Sequence, residues 1–202
     1  MPCRLINADL VKEILTMKDA VAACEDAFYG WGMNEVICPT KITLELGEDA
    51  EWPPYRNGLN AMPAYIHSKK SAGIKCIGGS LNNPSWGLPY IIALILLFDP
   101  ETGVFRAVVD GEEITNYRTG AQAAVAAKYI SAKKEISLGL FGAGAQGRTQ
   151  LLAFSEVFDV KKVFVYDISP EAAKKYKEEM SSKVKAEIIT AEKPEDVTVG
   201  TD

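Results

Sequence analysis

Ile136-Ser-Leu-Gly-Leu-Phe-Gly-Ala-Gly-Ala-Gln-Gly147 is a short apolar run that breaks into Gly142-x-Gly144-x-x-Gly147 and opens into a helix-like segment. The pattern is that of a strand, a tight turn and a helix whose first turn meets a pyrophosphate. Gly142 allows the turn, Gly144 lets backbone approach the phosphates, and Gly147 lets helix and strand pack closely. The helix start aims unpaired N–H groups and a positive dipole end at the anion. The next strand candidate, Lys162-Val-Phe-Val-Tyr-Asp167, ends on an acid twenty residues after Gly147, where a carboxylate binds a ribose 2′-hydroxyl. Asp167 could instead cap the helix at Pro170, but its spacing favours ribose binding. It also favours NAD over NADP, because a 2′-phosphate would meet its charge and no Arg follows immediately.

Outward from this loop, segments alternate: strand 136–141, helix 146–158, strand 162–167, helix 170–182 and strand 186–190. Such alternation predicts a parallel sheet with right-handed crossovers. Pro170 stands where a first helical turn tolerates proline. The Ala-rich segment 119–130 predicts a bridging helix. Before it, residues 41–109 read as short strands broken by Pro and Gly: 41–46, 60–67, 72–78, 91–98 and 105–109. Asp99-Pro-Glu-Thr-Gly103 predicts a hairpin turn between the last two. The apolar run Tyr90–Phe98 is too short for a membrane helix and reads as a buried strand. Near the N-terminus, Thr16-x-x-Asp19 forms a capping box, and Val21, Cys24, Phe28 and Trp31 recur as a core-facing helical stripe. The final residues, Asp196–Asp202, read as the start of another strand with an exposed, unstable edge. The chain thus reads as ending partway through its second domain.

Composition narrows the classes. The 202 residues are 48% hydrophobic and 24% charged, with a net charge of −5, which gives no electrostatic reason to expect nucleic acid. No signal peptide is evident, and a cytoplasmic location with buried free thiols at Cys3, Cys24, Cys38 and Cys76 is expected. No metal site is expected, since His67 is the sole histidine and the cysteine spacings do not suit zinc. His67 reads as structural, and Cys24 and Cys76 as small hydrophobes rather than nucleophiles. Arg118 lies between apolar segments at the expected start of a helix, placed to hold a carboxylate or phosphate bidentately. Lys75, in a Gly/Ile/Cys setting on a strand, suits proton transfer at an amine or imine if burial lowers its pKa. Arg56 is a further candidate cation.

Glu113-Ile-Thr-Asn-Tyr-Arg118 and the Ala-rich run after it combine with Ala61-Met-Pro63, Ala72-Gly-Ile-Lys75, Gly87-Leu-Pro89, Asp99–Gly103 and the glycine loop. In this order, over nearly the whole chain, they resemble the ornithine cyclodeaminase/mu-crystallin family. The resemblance implies an α/β architecture in which residues 1–117 form a sheet-rich substrate and dimerisation domain. Residues 118–202 would form the first half of a Rossmann domain, incomplete at its C-terminus. It implies that NAD is held by Gly142, Gly144, Ala145, Gln146, Gly147, Asp167 and Arg118. The substrate, a small amino acid, would be held by Lys41, Lys75 and Arg118, with Lys75 also moving protons, in a homodimer bound to no membrane. The cyclodeaminases usually carry Arg after Pro where this chain has Cys38-Pro-Thr-Lys41. Lys keeps the charge there and loses the planar fork. The implied reaction turns L-ornithine into L-proline and ammonia through hydride transfer and an imine. The family's catalytic aspartate is expected beyond residue 202, and weak or no turnover is expected of residues 1–202 alone. Alanine dehydrogenase or cyclic-imine reductase chemistry, or a non-catalytic ligand-binding role like mu-crystallin's, are the alternatives the family offers.

Overall fold

A computed structural model describes residues 3–46 and 57–202, so Arg56 lies outside the described residues. The chain divides into two compact units: Met1–Leu15 with Asp26–Thr115, and Thr16–Glu25 with Asn116–Asp202. Residues 16–25, grouped with the first region by sequence order, join the second because Met17 and Ala20 are buried against Ala121, Ala124 and Ala153.

The first unit is built on a seven-stranded sheet. Its strands are β1 (Arg4–Ile6), β2 (Val36–Ile37), β3 (Ile42–Leu46), β4 (Asn57–Ile66), β5 (Ser71–Gly79), β6 (Ile91–Phe98) and β7 (Phe105–Asp110). They lie in the order β1-β7-β6-β5-β4-β2, with β3 also on β4, and all pairs but β1–β7 are antiparallel. Pro63 sits in the middle of β4, where a missing N–H would normally break a ladder. It is tolerated because β3 pairs only as far as Ala61 and β2 begins at Tyr65, leaving a gap on that edge. The predicted hairpin joins β6 to β7, with Asp99 Oδ1 accepting the N–H groups of Glu101 and Thr102.

Helix α1 (Ala8–Ile14) buries Val11 against Ala107 and Val109, with Ile95 and Leu97 at the margin of the cluster. That places α1 on β7, at the edge of one face of β6. The run Tyr90–Phe98 is therefore not buried throughout, as expected from its composition. Ala93 is buried, while Ile92 and Leu94 on the opposite face are exposed.

Helix α2 (Met17–Gly32) begins as predicted, with the Asp19 N–H donating to Thr16 Oγ1 at 3.2 Å. Its apolar stripe is only half core. Val21 and Cys24 pack in the second unit with Ala121 and Ala124, but Phe28 and Trp31 are exposed. Helix α3 (Glu112–Ile130) starts seven residues before the Ala-rich run, so Arg118 is in its interior rather than at its start. The helix begins early because Asp110 Oδ1 accepts the Glu112 N–H and two acids occupy the first turn.

The second unit holds β8 (Glu135–Phe141), α4 (Ala145–Val157), β9 (Asp159–Tyr166), α5 (Pro170–Met180), β10 (Glu187–Thr190) and α6 (Pro194–Thr198). The three strands form a parallel sheet in the order β10-β9-β8, the first half of a doubly wound sheet. Val163, Val165, Leu151, Tyr176 and Met180 form its core. Helix α3 touches α4 backbone to backbone: a Cβ on Gly120 would stand 2.6 Å from the Thr149 carbonyl oxygen. Where a strand was expected after Asp196, the chain instead makes α6, started by Pro194 and by Asp196 accepting the Lys193 N–H. Asp202 then reaches β8, its N–H donating to the Ser137 carbonyl at 3.0 Å and its carboxylate accepting the Ser137 N–H. All four cysteines are free, and Cys3 and Cys38 are exposed rather than buried as expected. Among the described residues no helix is long and apolar enough to cross a membrane.

Candidate functional site

The glycine loop in the second unit has the geometry its spacing requires. Gly142 takes a φ of 99°, a conformation closed to most side chains, and its N–H donates to the Tyr166 carbonyl at 2.7 Å. A Cβ on Gly147 would stand 2.4 Å from the Gly142 carbonyl oxygen, so the turn and α4 touch through backbone alone. Gly144 is the N-cap of α4, no side chain caps the helix there, and a Cβ at Gly144 would meet open space. The first turn of a helix has N–H groups with no intrahelical partner, so this open cradle suits an anion.

Asp167 follows the end of β9. Its Oδ2 accepts the Ala143 N–H at 2.8 Å and its Oδ1 accepts the Ser169 N–H at 2.9 Å. These two bonds hold its carboxyl below the usual aspartate range. Ser169, not Asp167, caps α5 by accepting the Ala172 N–H, so the capping alternative for Asp167 fails. The acid therefore stands beside the loop, ionised, with lone pairs left for hydroxyl donors. Gln146 donates to Asn116 on α3 at 3.2 Å.

Arg118 belongs to the same unit. It is half-buried, its Nη1 reaches Gln122 Oε1 at 3.4 Å, and its buried Nε has no hydrogen-bond partner. Burial lowers its pKa. A desolvated guanidinium with an unused donor is suited to an incoming carboxylate. The Cys24 thiol donates to the Arg118 carbonyl at 3.6 Å and is pushed up in pKa by burial, which keeps it protonated and inert.

In the first unit, Lys75 is half-buried on β5, and its Nζ lies 3.4 Å from the hydroxyl of the buried Thr115. Lys41 is exposed, one residue before β3. Register relates the two lysines. Lys75 pairs with Met62, and Ile42 pairs with the adjacent Ala61, so Lys41 and Lys75 reach the same level of the sheet. Two strand spacings, about 10 Å, separate their backbones. His67 is exposed and shares a 3.1 Å hydrogen bond with the Tyr65 hydroxyl, in keeping with a structural role. Sequence reasoning missed Thr115, Asn116 and Arg148. The first two lay inside a quoted motif, and the third directly follows Gly147.

A chain with this half-sheet and glycine loop is of the dinucleotide-binding α/β class. The profile of the ornithine cyclodeaminase/mu-crystallin family matches residues 4–202, and the chain belongs to that family. It is 35% identical over 176 residues to an alanine dehydrogenase of Archaeoglobus fulgidus, covering 87% of this chain and 52% of the relative. Among solved structures it is similar to Thermococcus litoralis Delta(1)-pyrroline-2-carboxylate reductase in complex with NADH and L-proline. There the TM-score is 0.89 at 34% identity, covering 98% of this chain and 59% of that one. An archaeal alanine dehydrogenase dimer with bound NAD gives a TM-score of 0.85 at 33% identity, covering 95% and 56%. The chain spans about half the length of the curated relatives it matches.

Proposed function

We propose that this chain is part of an NAD-dependent enzyme that transfers hydride at the α-carbon of a small amino or imino acid. The observation that carries this is the open cradle between Gly142 and Gly147 with the ionised Asp167 beside it. Gly144, Ala145 and Gln146 would offer the start of α4 to the pyrophosphate, and Asp167 would accept the ribose hydroxyls. When bound, the dinucleotide supplies the hydride acceptor or donor. Arg118 would hold the substrate carboxylate, its desolvated fork favouring a bidentate pair. Lys75 would hold the substrate nitrogen side and move a proton there, oriented by the Thr115 hydroxyl. Lys41, more exposed, would add positive charge without the planar fork. We also propose a homodimer, supported by the exposed apolar face of β6 and by the dimeric archaeal relative.

Three chemistries share this frame. Cyclodeamination of L-ornithine to L-proline is the one the family resemblance first implies. Net alanine oxidation and cyclic-imine reduction are favoured by the names of the relatives near 35% identity. Lys41 in place of the cyclodeaminases' usual Arg points the same way.

The test is a substrate panel on the natural full-length protein. NADH appearing with alanine selects the dehydrogenase, and NADH consumed with a cyclic imino acid selects the reductase. Proline and ammonia from ornithine, without net NADH, select the cyclodeaminase. Tight NAD binding with no turnover of any of them would select a binding protein and end the catalytic reading.

A further inference from the structure

Arg148 directly follows Gly147 on α4, and its half-buried guanidinium meets four groups of the second unit. One nitrogen, Nη1, donates to the carbonyl of Ala143 and to that of Gly144 at 3.1 Å. Its Nε and Nη2 donate to one carboxylate oxygen of Glu179 on α5 at 2.8 and 2.6 Å. Its Cζ lies 5.4 Å from the centre of the Tyr176 ring. Tyr176 is itself fully buried, and its hydroxyl donates to the Gly147 carbonyl at 3.0 Å. Tyr176 and Glu179 are one helical turn apart, on one face of α5.

The consequence follows from the peptide bond. In a trans peptide the C=O and the N–H point in opposite directions. The Ala143 carbonyl shares a peptide with the Gly144 N–H, and the Gly144 carbonyl shares one with the Ala145 N–H. Drawing both carbonyls onto one guanidinium turns both N–H groups the other way, out of the start of α4. The Gly144 carbonyl also accepts the Arg148 backbone N–H at 3.3 Å within α4, so there the guanidinium reinforces a peptide the helix already orients, while on the Ala143 carbonyl the guanidinium itself supplies the restraint. The Ala143 N–H is already taken by Asp167, which leaves the next two as the donors Arg148 controls.

We propose that Arg148, held in place by Glu179 and Tyr176, is a positioning residue for the cofactor. It presets the Gly144 and Ala145 N–H groups toward the pyrophosphate. The inference rests on the NAD reading above. It differs from a simple charge effect, in which Arg148 would merely add positive potential that Glu179 partly cancels.

The experiment is equilibrium titration of NADH fluorescence on the natural full-length protein and on Arg148→Lys, Arg148→Met and Glu179→Gln. Displacement by ADP and by adenosine, and melting temperature, are measured on each protein. Arg148→Lys keeps the charge and loses the fork, and should weaken NADH and ADP about tenfold or more. Adenosine, which has no phosphate, should bind unchanged. Glu179→Gln should weaken NADH in the same direction by a smaller factor. If Arg148→Met does not fold, the other two variants still decide. Lys-variant affinity within about twofold of the parent, or tighter binding by Glu179→Gln, overturns the proposal. So does a lowered melting temperature with unchanged NADH affinity, which is the mark of a purely structural ion pair. Failure of the unmodified protein to bind NADH overturns the NAD reading, and this inference with it.

Discussion

Val163 and Val165 in the parallel sheet are wholly buried, whereas Ile92 and Leu94 in the antiparallel sheet leave 47% and 50% of their surface exposed. Similar apolar residues in similar strands meet different fates. A strand in a β-α-β unit is covered by the helices its own connections supply. A meander supplies none, and α1 packs Val11 against Ala107 and Val109 of β7, with Ile95 and Leu97 of β6 at the margin of that cluster. An apolar run announces a strand, while its surroundings decide whether both faces are core.

Breaking the second unit should give the largest effect. Gly147→Val places a branched side chain 2.4 Å from the Gly142 carbonyl, backbone that cannot yield. We expect a loss of about 3 kcal/mol or more in urea unfolding, and no measurable NADH binding. Leu151→Ala, at a fully buried position of α4, should cost about 2–5 kcal/mol in the same measurement. Leu94→Ala in β6, where half the side chain is exposed, should cost the isolated subunit only about 1 kcal/mol. The same substitution should raise the dimer dissociation constant in analytical ultracentrifugation, if that face is the interface. Equal costs for Leu151→Ala and Leu94→Ala in the monomer would erase the contrast between the sheets.

The smallest effect should be one of pH. The Ala143 and Ser169 N–H groups hold the Asp167 pKa below its unfolded value. Its contribution is therefore present at neutral pH and is lost as pH falls through the lowered pKa, below about pH 4. Asp167→Asn should remove that part of the acid dependence from melting curves. It should also reduce the preference for NADH over NADPH in fluorescence titrations.

The site divides along similar lines. The glycine loop and Asp167 are legible from spacing because strand, turn and helix are consecutive, and each glycine answers a local steric demand. Lys75 and Lys41 are legible only as candidate cations. That they share one level of the sheet follows from the pairing of β3, β4 and β5, which brings together segments far apart in sequence. Arg148 stands beside the motif but has no meaning without α5, where Glu179 and Tyr176 give its guanidinium a fixed direction.

The amino-acid order by itself determined the strand–helix alternation over residues 136–190, the glycine turn at 142–147 and the hairpin at Asp99, since each depends on backbone sterics and hydrogen bonds among near neighbours. Tertiary structure alone decided that residues 16–25 pack with the second unit, because the alanines of α3 and α4 offer a flat surface to Met17 and Ala20. It also decided that Phe28 and Trp31 stay exposed, and that Arg118 lies within a helix with a desolvated Nε. These outcomes turn on which surfaces meet in space, and periodicity along one segment carries no information about its partner.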